Sequence, residues 1–269
     1  MVAIGALLAT LGAAPAPADK GLALWRLDCG TLEIGNLDDY SDTFLYVGRQ
    51  KTLTDSCYLI RNGGRYLLWD SGLPGELAGR TAEDGGDRMA LRRRIRDQLA
   101  DIDVRPEQVT FVGISHYHYD HTGQAADFPT ATLLVDRRDW EGINARPDRA
   151  QRFTPWISGG GKVQPLTYDH DVFGDGSVIM LATPGHTPGH RSLLVRLKDS
   201  GPVLLSGDAA HFAENWDKLG VPAFNTSRAE TLASMDRLNR ISRNLKAKLV
   251  IQHEPADVAK LPPFPTPAH

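Results

Sequence analysis

Residues 115–123 concentrate side chains that can bind a metal ion. Three histidines and one aspartate lie within six residues, directly after the apolar run 109–114. They are His116, His118, Asp120 and His121. Imidazole nitrogens and carboxylate oxygens are ligands that zinc and similar divalent ions accept. A tight turn after a strand can direct such side chains at one point, so the pattern predicts a metal site. A solvated histidine-rich loop is the simpler alternative.

Three more potential ligands follow other apolar runs. His186 comes after residues 178–181, Asp208 after residues 203–205, and His253 after residues 249–251. Each lies just beyond the end of a predicted strand, where loops from separate strands of one sheet converge. We therefore expect these three residues to meet the first four in one site.

Short apolar runs bounded by Gly, Pro, Asn or Asp predict the strands that position these residues. The runs are residues 44–47, 56–60, 66–69, 109–114, 132–135, 178–181, 192–197, 203–205 and 249–251. Helical periodicity predicts an amphipathic helix from Met89 to about Asp101 and a longer helix after Ser227. Ser227 and Glu230 form a capping-box pattern at the start of that second helix. This combination of elements indicates a layered α and β architecture.

The composition narrows the class of protein. The chain has 269 residues, with 30 basic against 33 acidic side chains and a net charge of -3. This balance provides no electropositive field for a phosphate backbone, so we expect no nucleic-acid partner. No apolar stretch reaches the length of about 20 residues that a membrane span requires.

The first residues of the chain predict export. Residues 2–14 are almost wholly apolar, and the small residues 16–18 follow them. This pattern is typical of a signal peptide, although a basic stretch at its start is missing. We therefore expect a signal peptide over residues 1–18, one folded domain over residues 19–269, and a periplasmic or secreted protein. In an oxidising compartment Cys29 and Cys57 can form a disulfide, and two separate buried thiols are the alternative.

From about residue 22 to His253, the sequence resembles the metallo-β-lactamase superfamily. The resemblance rests on the histidine motif and on the three later ligands, each after its strand. It implies an αββα sandwich, with two mixed β-sheets packed face to face and helices outside. It also implies that Asp208 bridges two metal ions. The first ion would be held by His116, His118 and His186, and the second by Asp120, His121 and His253. Asp70 and His190 would support these ligands without binding metal.

Within the superfamily, the sequence is most similar to the N-acyl homoserine lactonases. Residues 56–60, residues 66–72 and Tyr119 inside the metal motif carry this similarity. It implies an enzyme that opens the lactone ring of N-acyl homoserine lactones, a quorum-quenching reaction, by attack of a hydroxide that bridges two metal ions. Two alternatives remain. One is hydrolysis of another ester, a thioester or a β-lactam, and the other is a metal-binding protein without catalysis.

The sequence departs from those lactonases at one position. They commonly place a tyrosine three residues after the bridging aspartate, where it hydrogen-bonds the substrate carbonyl, whereas this chain has His211. An imidazole can donate the same bond, so we expect His211 to stabilise the oxyanion, with a structural role as the alternative. The resemblance further implies that Asp120 delivers a proton to the leaving alkoxide. The expected catalytic residues are therefore Asp120, Asp208 and His211.

The expected cofactor is a pair of divalent ions, with Zn²⁺ as the first choice, although the same ligands accept iron, cobalt or manganese. The expected substrate is a small acylated lactone whose acyl chain needs an apolar groove. Candidate wall residues are Phe44, Tyr46, Phe153, Trp156, Phe212 and Trp216, and ordinary core packing is the alternative for each. The oligomeric state stays open, with a homodimer among the options.

Overall fold

Two mixed β-sheets form the centre of the fold. The computed structural model describes residues 21–269, so the predicted signal peptide over residues 1–18 lies outside the described residues. The strands of the described part are β1 Ala23–Ile34, β2 Lys51–Asn62, β3 Arg65–Trp69, β4 Arg80–Asp84, β5 Asp87–Leu91, β6 Phe111–Gly113, β7 Thr132–Asp136, β8 Val163–Leu166, β9 His170–Asp171, β10 Val178–Ala182, β11 Arg191–Arg196, β12 Pro202–Leu205 and β13 Lys248–Val250.

Short helices and one long helix connect the strands. The α-helices of the described part are α1 Ile95–Ala100, α2 Tyr119–Thr122, α3 Arg137–Asn144, α4 Pro147–Ala150, α5 Thr154–Ile157, α6 Ala213–Asp217, α7 Arg228–Leu245 and α8 Pro255–Val258. Short 3-10 helices span Leu37–Tyr40, Gly75–Leu77, Pro106–Gln108, Ala125–Asp127 and Gln151–Phe153. Within residues 21–269, none of the helices has the length and apolar character needed to cross a membrane.

The two sheets differ in size, and each contains parallel and antiparallel pairs. The larger sheet has eight strands in the order β4-β5-β1-β2-β3-β6-β7-β8. Its first five strands in this order pair antiparallel, whereas β3, β6, β7 and β8 pair in parallel. The smaller sheet has five strands in the order β13-β12-β11-β10-β9, and only its β12–β13 pair is parallel.

Apolar clusters show how the layers stack. Tyr58 of the larger sheet and Met180 of the smaller sheet belong to one buried cluster between the sheets. Because side chains alternate along a strand, Leu59 faces the other way and packs with Ile95 of α1. Leu238 of α7 belongs to a further cluster on the outer face of the smaller sheet. The layers are therefore helix, sheet, sheet and helix, and the predicted αββα sandwich with two mixed sheets is confirmed.

The long helix α7 is the one predicted after Ser227. The Ser227 hydroxyl oxygen accepts a hydrogen bond from the backbone N–H of Glu230 at 3.3 Å, which satisfies a donor of the first helical turn. The backbone N–H of Ser227 also donates to the carbonyl oxygen of Gly185 at 2.9 Å. The start of α7 therefore supports the loop that carries His186.

The helix predicted from Met89 to about Asp101 is wrong over its first half. The first residues of this segment form β5, and α1 begins only at Ile95. Met89 pairs with Leu32 of β1 on one side and with Ala82 of β4 on the other. These long-range strand pairs outweigh the local helical periodicity, which is a weak preference by comparison.

The strand predicted at residues 44–47 is also wrong, because these residues form a turn between β1 and β2. The backbone N–H of Tyr46 donates to the Asp38 carboxylate at 3.0 Å instead of to a neighbouring strand. Phe44 has a positive φ of 57°, which no strand accommodates. An apolar run predicts a strand whose backbone bonds to neighbouring strands. Here a side chain of the same loop accepts the backbone hydrogen bond instead.

Cys29 and Cys57 form a disulfide, which settles the alternative that the sequence left open. Their Cα atoms lie 5.8 Å apart, and 28 positions separate them in the chain. Both side chains are fully buried. Cys29 lies where the register between β1 and β2 shifts, between Asp28 and Gly30. The bond thus joins β1 to β2 directly at this irregularity.

Candidate metal centre

The predicted ligands lie at one edge of the sandwich, each just after a strand. The histidine motif follows β6, and His186, Asp208 and His253 follow β10, β12 and β13. Hydrogen bonds join the two sheets at this edge. The backbone N–H of Arg191 donates to the Ser115 carbonyl at 2.8 Å, and that of Thr54 donates to the His253 carbonyl at 3.1 Å. The convergence expected from the sequence is therefore present in the structure.

Three histidines form a first group of potential ligands. Nε2 of His116 lies 2.9 Å from Nδ1 of His118 and 3.1 Å from Nε2 of His186. Nδ1 of His118 and Nε2 of His186 are 3.0 Å apart. The three nitrogens thus form a nearly equilateral triangle that faces a single point.

A second group lies beside the first. Nε2 of His121 is 3.1 Å from Nε2 of His253. An Asp120 carboxylate oxygen lies 3.8 Å from the His121 nitrogen and 3.9 Å from the His253 nitrogen. The donor atoms of these three residues all lie within 4.8 Å of one another, so they can also meet one cation.

Asp208 lies between the two groups. Its Oδ2 atom is 3.6 Å from Nε2 of His116 and 3.5 Å from Nε2 of His186. Its Oδ1 atom is 3.2 Å from Nε2 of His253, and its Oδ2 atom is 3.4 Å from Nε2 of His121. One carboxylate therefore faces both groups, as a bridging ligand must.

The donor atoms fit two divalent cations. A tetrahedral zinc ion with Zn–N bonds of about 2.0–2.1 Å holds its nitrogens about 3.3 Å apart, close to the spacing in the first group. Oδ1 of Asp208 is buried and lacks a hydrogen-bond partner within residues 21–269. A buried carboxylate oxygen without a partner is costly, and a cation would satisfy it. Metal binding by these seven residues stays a prediction that the geometry favours.

Burial keeps the first group in the form that binds metal. It lowers the pKa of His116 and of His186 well below the ordinary histidine value, and neighbouring imidazoles add to the effect. Burial also lowers the pKa of His118 to about 4. All three imidazoles are therefore neutral at neutral pH, with a lone pair available to a cation.

The second group attracts positive charge. Burial alone would raise the pKa of Asp208, but the imidazoles of His121 and His253 hold it well below its usual range. Burial alone would likewise lower the pKa of His253, but the Asp208 carboxylate raises it to about 9. The ionised carboxylate thus favours a cation between these side chains, whether a proton or a metal ion.

Asp70 holds His121 from outside the ligand set, as the resemblance implied. One Asp70 oxygen lies 2.9 Å from Nδ1 of His121 and also accepts a hydrogen bond from the Gln252 amide at 2.9 Å. The other oxygen accepts from the backbone N–H of Ser115 at 2.6 Å. These contacts turn Nε2 of His121 toward His253 and Asp208.

His190 holds the backbone of Asp208 and does not join either group. Its Nε2 atom accepts a hydrogen bond from the Asp208 N–H at 2.9 Å, and its Nδ1–H donates to the Thr183 carbonyl at 2.9 Å. Burial lowers the pKa of His190 to about 4, so the ring stays neutral. At Gly207, φ is +60° and a Cβ would lie 2.5 Å from the His190 ring, so this turn requires glycine.

Two ligand rings are oriented by residues that the sequence analysis did not identify. Oδ1 of Asn225 lies 2.8 Å from Nδ1 of His186, and the Thr54 carbonyl lies 3.0 Å from Nδ1 of His253. No motif marks either partner. Asn225 is one polar residue in a loop, and Thr54 contributes only its backbone.

His211 faces Asp208 and is almost fully buried. Its Nε2 atom lies 3.3 Å from Oδ2 of Asp208, and its ring stacks on His253 with centroids 5.8 Å apart. Its Nδ1 atom is buried and has no hydrogen-bond partner in the described part of the chain. The predicted oxyanion donor therefore lies at the metal groups, next to Asp208.

The aromatic side chains beside His211 differ from those predicted. The ring centroids of Tyr40 and Phe224 lie 4.8 Å and 5.9 Å from that of His211. By contrast, Phe153 and Trp156 belong to the buried cluster on the outer face of the larger sheet. Phe153 and Trp156 therefore pack in the core, which was the alternative to lining an acyl groove. Tyr40 and Phe224 lie in connecting segments, and no periodic pattern indicated them.

The chain matches the model of a known superfamily. The family model described as the metallo-beta-lactamase superfamily matches residues 53–253. That match covers most of the chain and all seven predicted ligands. The chain belongs to the metallo-β-lactamase superfamily.

Among curated proteins, the chain is similar to enzymes named N-acyl homoserine lactonase AttM. It is 36% identical over 174 residues to AttM of Azorhizobium caulinodans, covering 59% of this chain and 63% of that relative. It is also 36% identical over 187 residues to AttM of Rhizobium radiobacter, covering 62% of this chain and 68% of the relative. The alignments thus span about two thirds of the length of these relatives.

Among solved structures, the chain is similar to a variant of AiiA from B. thuringiensis with N-decanoyl-L-homoserine bound at the active site. The TM-score is 0.78 at 24% sequence identity, covering 91% of this chain and 98% of that chain. At this identity the similarity establishes the shared fold.

Proposed function

We propose that this protein is a dinuclear metal-dependent hydrolase that opens the lactone ring of N-acyl homoserine lactones. The observation that carries the proposal is the placement of Asp208, whose two carboxylate oxygens face both groups of histidines. The similarity to the AttM lactonases supports a lactone as substrate. Hydrolysis of another ester, a thioester or a β-lactam by the same centre is the alternative.

Zinc is the metal we propose, because imidazole and carboxylate ligands in groups of three leave coordination positions open, as catalytic zinc sites do. When bound, a pair of such ions supplies a water of lowered pKa and polarises a carbonyl group. His116, His118 and His186 would hold one ion. Asp120, His121 and His253 would hold the other, with Asp208 shared by both.

Among the residues of this chain, we propose that Asp120 moves a proton. Its side chain is 14% exposed, whereas that of Asp208 is 2% exposed. The Asp120 carboxylate would take up the proton that the attacking water loses and return it to the leaving alkoxide. Asp208 lies deeper and keeps its negative charge between the two groups. His211 would donate a ring N–H to the carbonyl oxygen as negative charge develops there.

A substrate comparison on one purified sample tests the proposed reaction. Zinc-loaded protein is assayed in a pH-stat against homoserine lactones of graded acyl length, a thioester and a cephalosporin. Fastest turnover of a lactone supports the proposal, whereas preference for the thioester or the cephalosporin supports the alternative. If zinc-saturated protein hydrolysed none of these substrates, metal binding without catalysis would be the remaining interpretation.

Elemental analysis tests the metal centre separately. Wild-type protein purified without chelator and supplied with zinc should contain about two ions per chain, because two sets of three ligands share Asp208. Asp208→Ala removes the shared ligand and should abolish turnover. A stoichiometry well under one in the wild type, or full activity in Asp208→Ala, would refute the dinuclear centre.

We also propose that the protein is exported to the periplasm or secreted. The disulfide between Cys29 and Cys57 supports this location, because such bonds persist in oxidising compartments. Mass spectrometry of the native protein should then find a chain that starts at residue 19. A cytoplasmic chain that retains residues 2–18 would contradict export.

A further inference from the structure

Tyr40 stands beside His211 although it comes from a distant part of the chain. It ends the 3-10 helix in the connection between β1 and β2. Its ring meets the His211 ring edge-on, with centroids 4.8 Å apart, and meets the Phe224 ring edge-on at 5.3 Å. Phe224 in turn lies 5.8 Å from the ring of His186. The Tyr40 ring thus lies in one aromatic cluster with His211 and Phe224, and Phe224 connects this cluster to His186 of the first metal group.

Two hydrogen bonds hold the backbone around Tyr40 in place. The Tyr40 carbonyl accepts a hydrogen bond from the Asn215 amide at 3.1 Å. The backbone N–H of Asp42 donates to the Val221 carbonyl at 2.7 Å. These bonds tie the Tyr40 segment to α6 and to the chain that follows it, so the ring is positioned before any substrate binds.

The Tyr40 hydroxyl is a donor without an acceptor. Within residues 21–269 no hydrogen bond is made by this hydroxyl, although the backbone of the same residue is bonded. Burial raises the pKa of Tyr40, and the carboxylates of Asp120 and Asp208 raise it further. The phenol therefore keeps its proton at neutral pH, and its acceptor must come from a ligand or solvent.

We propose that Tyr40 donates a hydrogen bond to a carbonyl oxygen of the bound substrate, next to the imidazole of His211. The inference rests on the proposed hydrolase function. Two neighbouring donors would fix the substrate carbonyl relative to Asp208 and stabilise the charge that develops during attack. In this arrangement one donor comes from the loop after β12 and the other from the connection between β1 and β2.

Tyr40→Phe tests the proposal because it removes the hydroxyl and keeps the ring. We expect kcat to fall by about 100-fold, the lower end of the effect of losing one such donor, with a smaller change in KM. Zinc content and Tm should match the wild type, because the ring still packs on His211 and Phe224. Tyr168→Phe is the matched control, since this phenol is 81% exposed and its loss should leave kcat unchanged.

A double variant separates a substrate contact from a packing effect. If both donors serve the same carbonyl, Tyr40→Phe combined with His211→Ala should lose less than the product of the two single losses. The assay uses whichever ester, thioester or lactam the wild type hydrolyses. Preference for a thioester would contradict the lactone assignment alone, whereas wild-type kcat in Tyr40→Phe would overturn the role of Tyr40. Loss of zinc in Tyr40→Phe would also overturn it, by showing a structural role.

Discussion

Asn225 links the first metal group to the long helix α7. Its Oδ1 atom lies 2.8 Å from Nδ1 of His186, while its amide nitrogen donates to the Thr231 hydroxyl at 3.0 Å. The asparagine therefore accepts the Nδ1–H of His186 and leaves Nε2 of that ring free for a cation. Partners of this kind fix both the tautomer and the direction of a ligand ring.

Asn225→Ala should weaken metal binding at the first group by about 10- to 100-fold, because the His186 ring loses its outer partner. Titration of zinc against a competing chelator measures this affinity. Asn225→Asp keeps an acceptor at the same place and should retain most of the zinc affinity. Asn239→Ala, on the exposed face of α7, serves as the control. Equal zinc affinity in Asn225→Ala and wild type would show that the contact does not orient His186.

The role of His211 can be read from kcat per bound metal pair. His211→Ala should lose about 10² to 10³ in kcat with full metal content, because one donor to the developing charge is removed. His211→Tyr should recover part of the loss, since a phenol can donate to the same oxygen. The structural alternative predicts lower metal occupancy or stability with unchanged kcat per metal pair. Equal kcat per metal pair in the wild type, His211→Ala and His211→Tyr would show that His211 takes no part in the reaction.

Removal of the disulfide should lower stability and spare the reaction. Closing 28 residues between Cys29 and Cys57 restricts the unfolded chain, and the chain-entropy relation gives about 3 to 4 kcal/mol for such a loop. The Cys29→Ala/Cys57→Ala variant should therefore unfold at lower guanidinium concentration, with an unchanged kcat. Guanidinium unfolding of both proteins measures the difference. An unfolding free energy equal to that of the wild type would contradict this expectation.

Asp139 should make stability fall with rising pH. Its carboxylate accepts hydrogen bonds from the Thr187 hydroxyl at 2.7 Å and the Gly189 N–H at 2.6 Å, beside the His186 loop. Burial raises the pKa of Asp139 to about 7. Its protonated form therefore stabilises the fold fully below about pH 4, the unfolded value, and this stabilisation is lost as pH rises through about 7.

Asp139→Asn isolates this effect, because the amide stays neutral at every pH. Between pH 5 and pH 8, the variant should gain unfolding free energy relative to the wild type, measured by urea unfolding of zinc-saturated protein. Asp199→Asn changes an exposed carboxylate and should show no such trend. Parallel stability curves for Asp139→Asn and wild type would show that Asp139 is ionised in the folded protein throughout.

The convergence of the seven candidate ligands was predictable because each follows a local signal in the sequence. His116, His118, Asp120 and His121 lie within one strand-to-helix turn, so their spacing along the chain already limits their separation in space. Asp208 and His253 follow apolar runs that became β12 and β13. The α7 cap is equally local, since Ser227 and Glu230 are neighbours on one helical turn. The αββα fold itself was predicted through the resemblance to the superfamily and not from periodicity.

The wrong predictions and the missed residues share a physical cause. In each case the local structure depends on partners that are far away in the sequence. Met89 is in a strand because β1 and β4 lie on either side of it, and the local sequence contains no sign of those neighbours. Thr54 and His253 are 199 positions apart, and His186 and Asn225 are 39 apart. Residue types and spacing thus determined which side chains could bind metal. Only the packing of the two sheets decided which polar groups orient them, because a hydrogen bond between distant segments requires the folded backbone to bring them together.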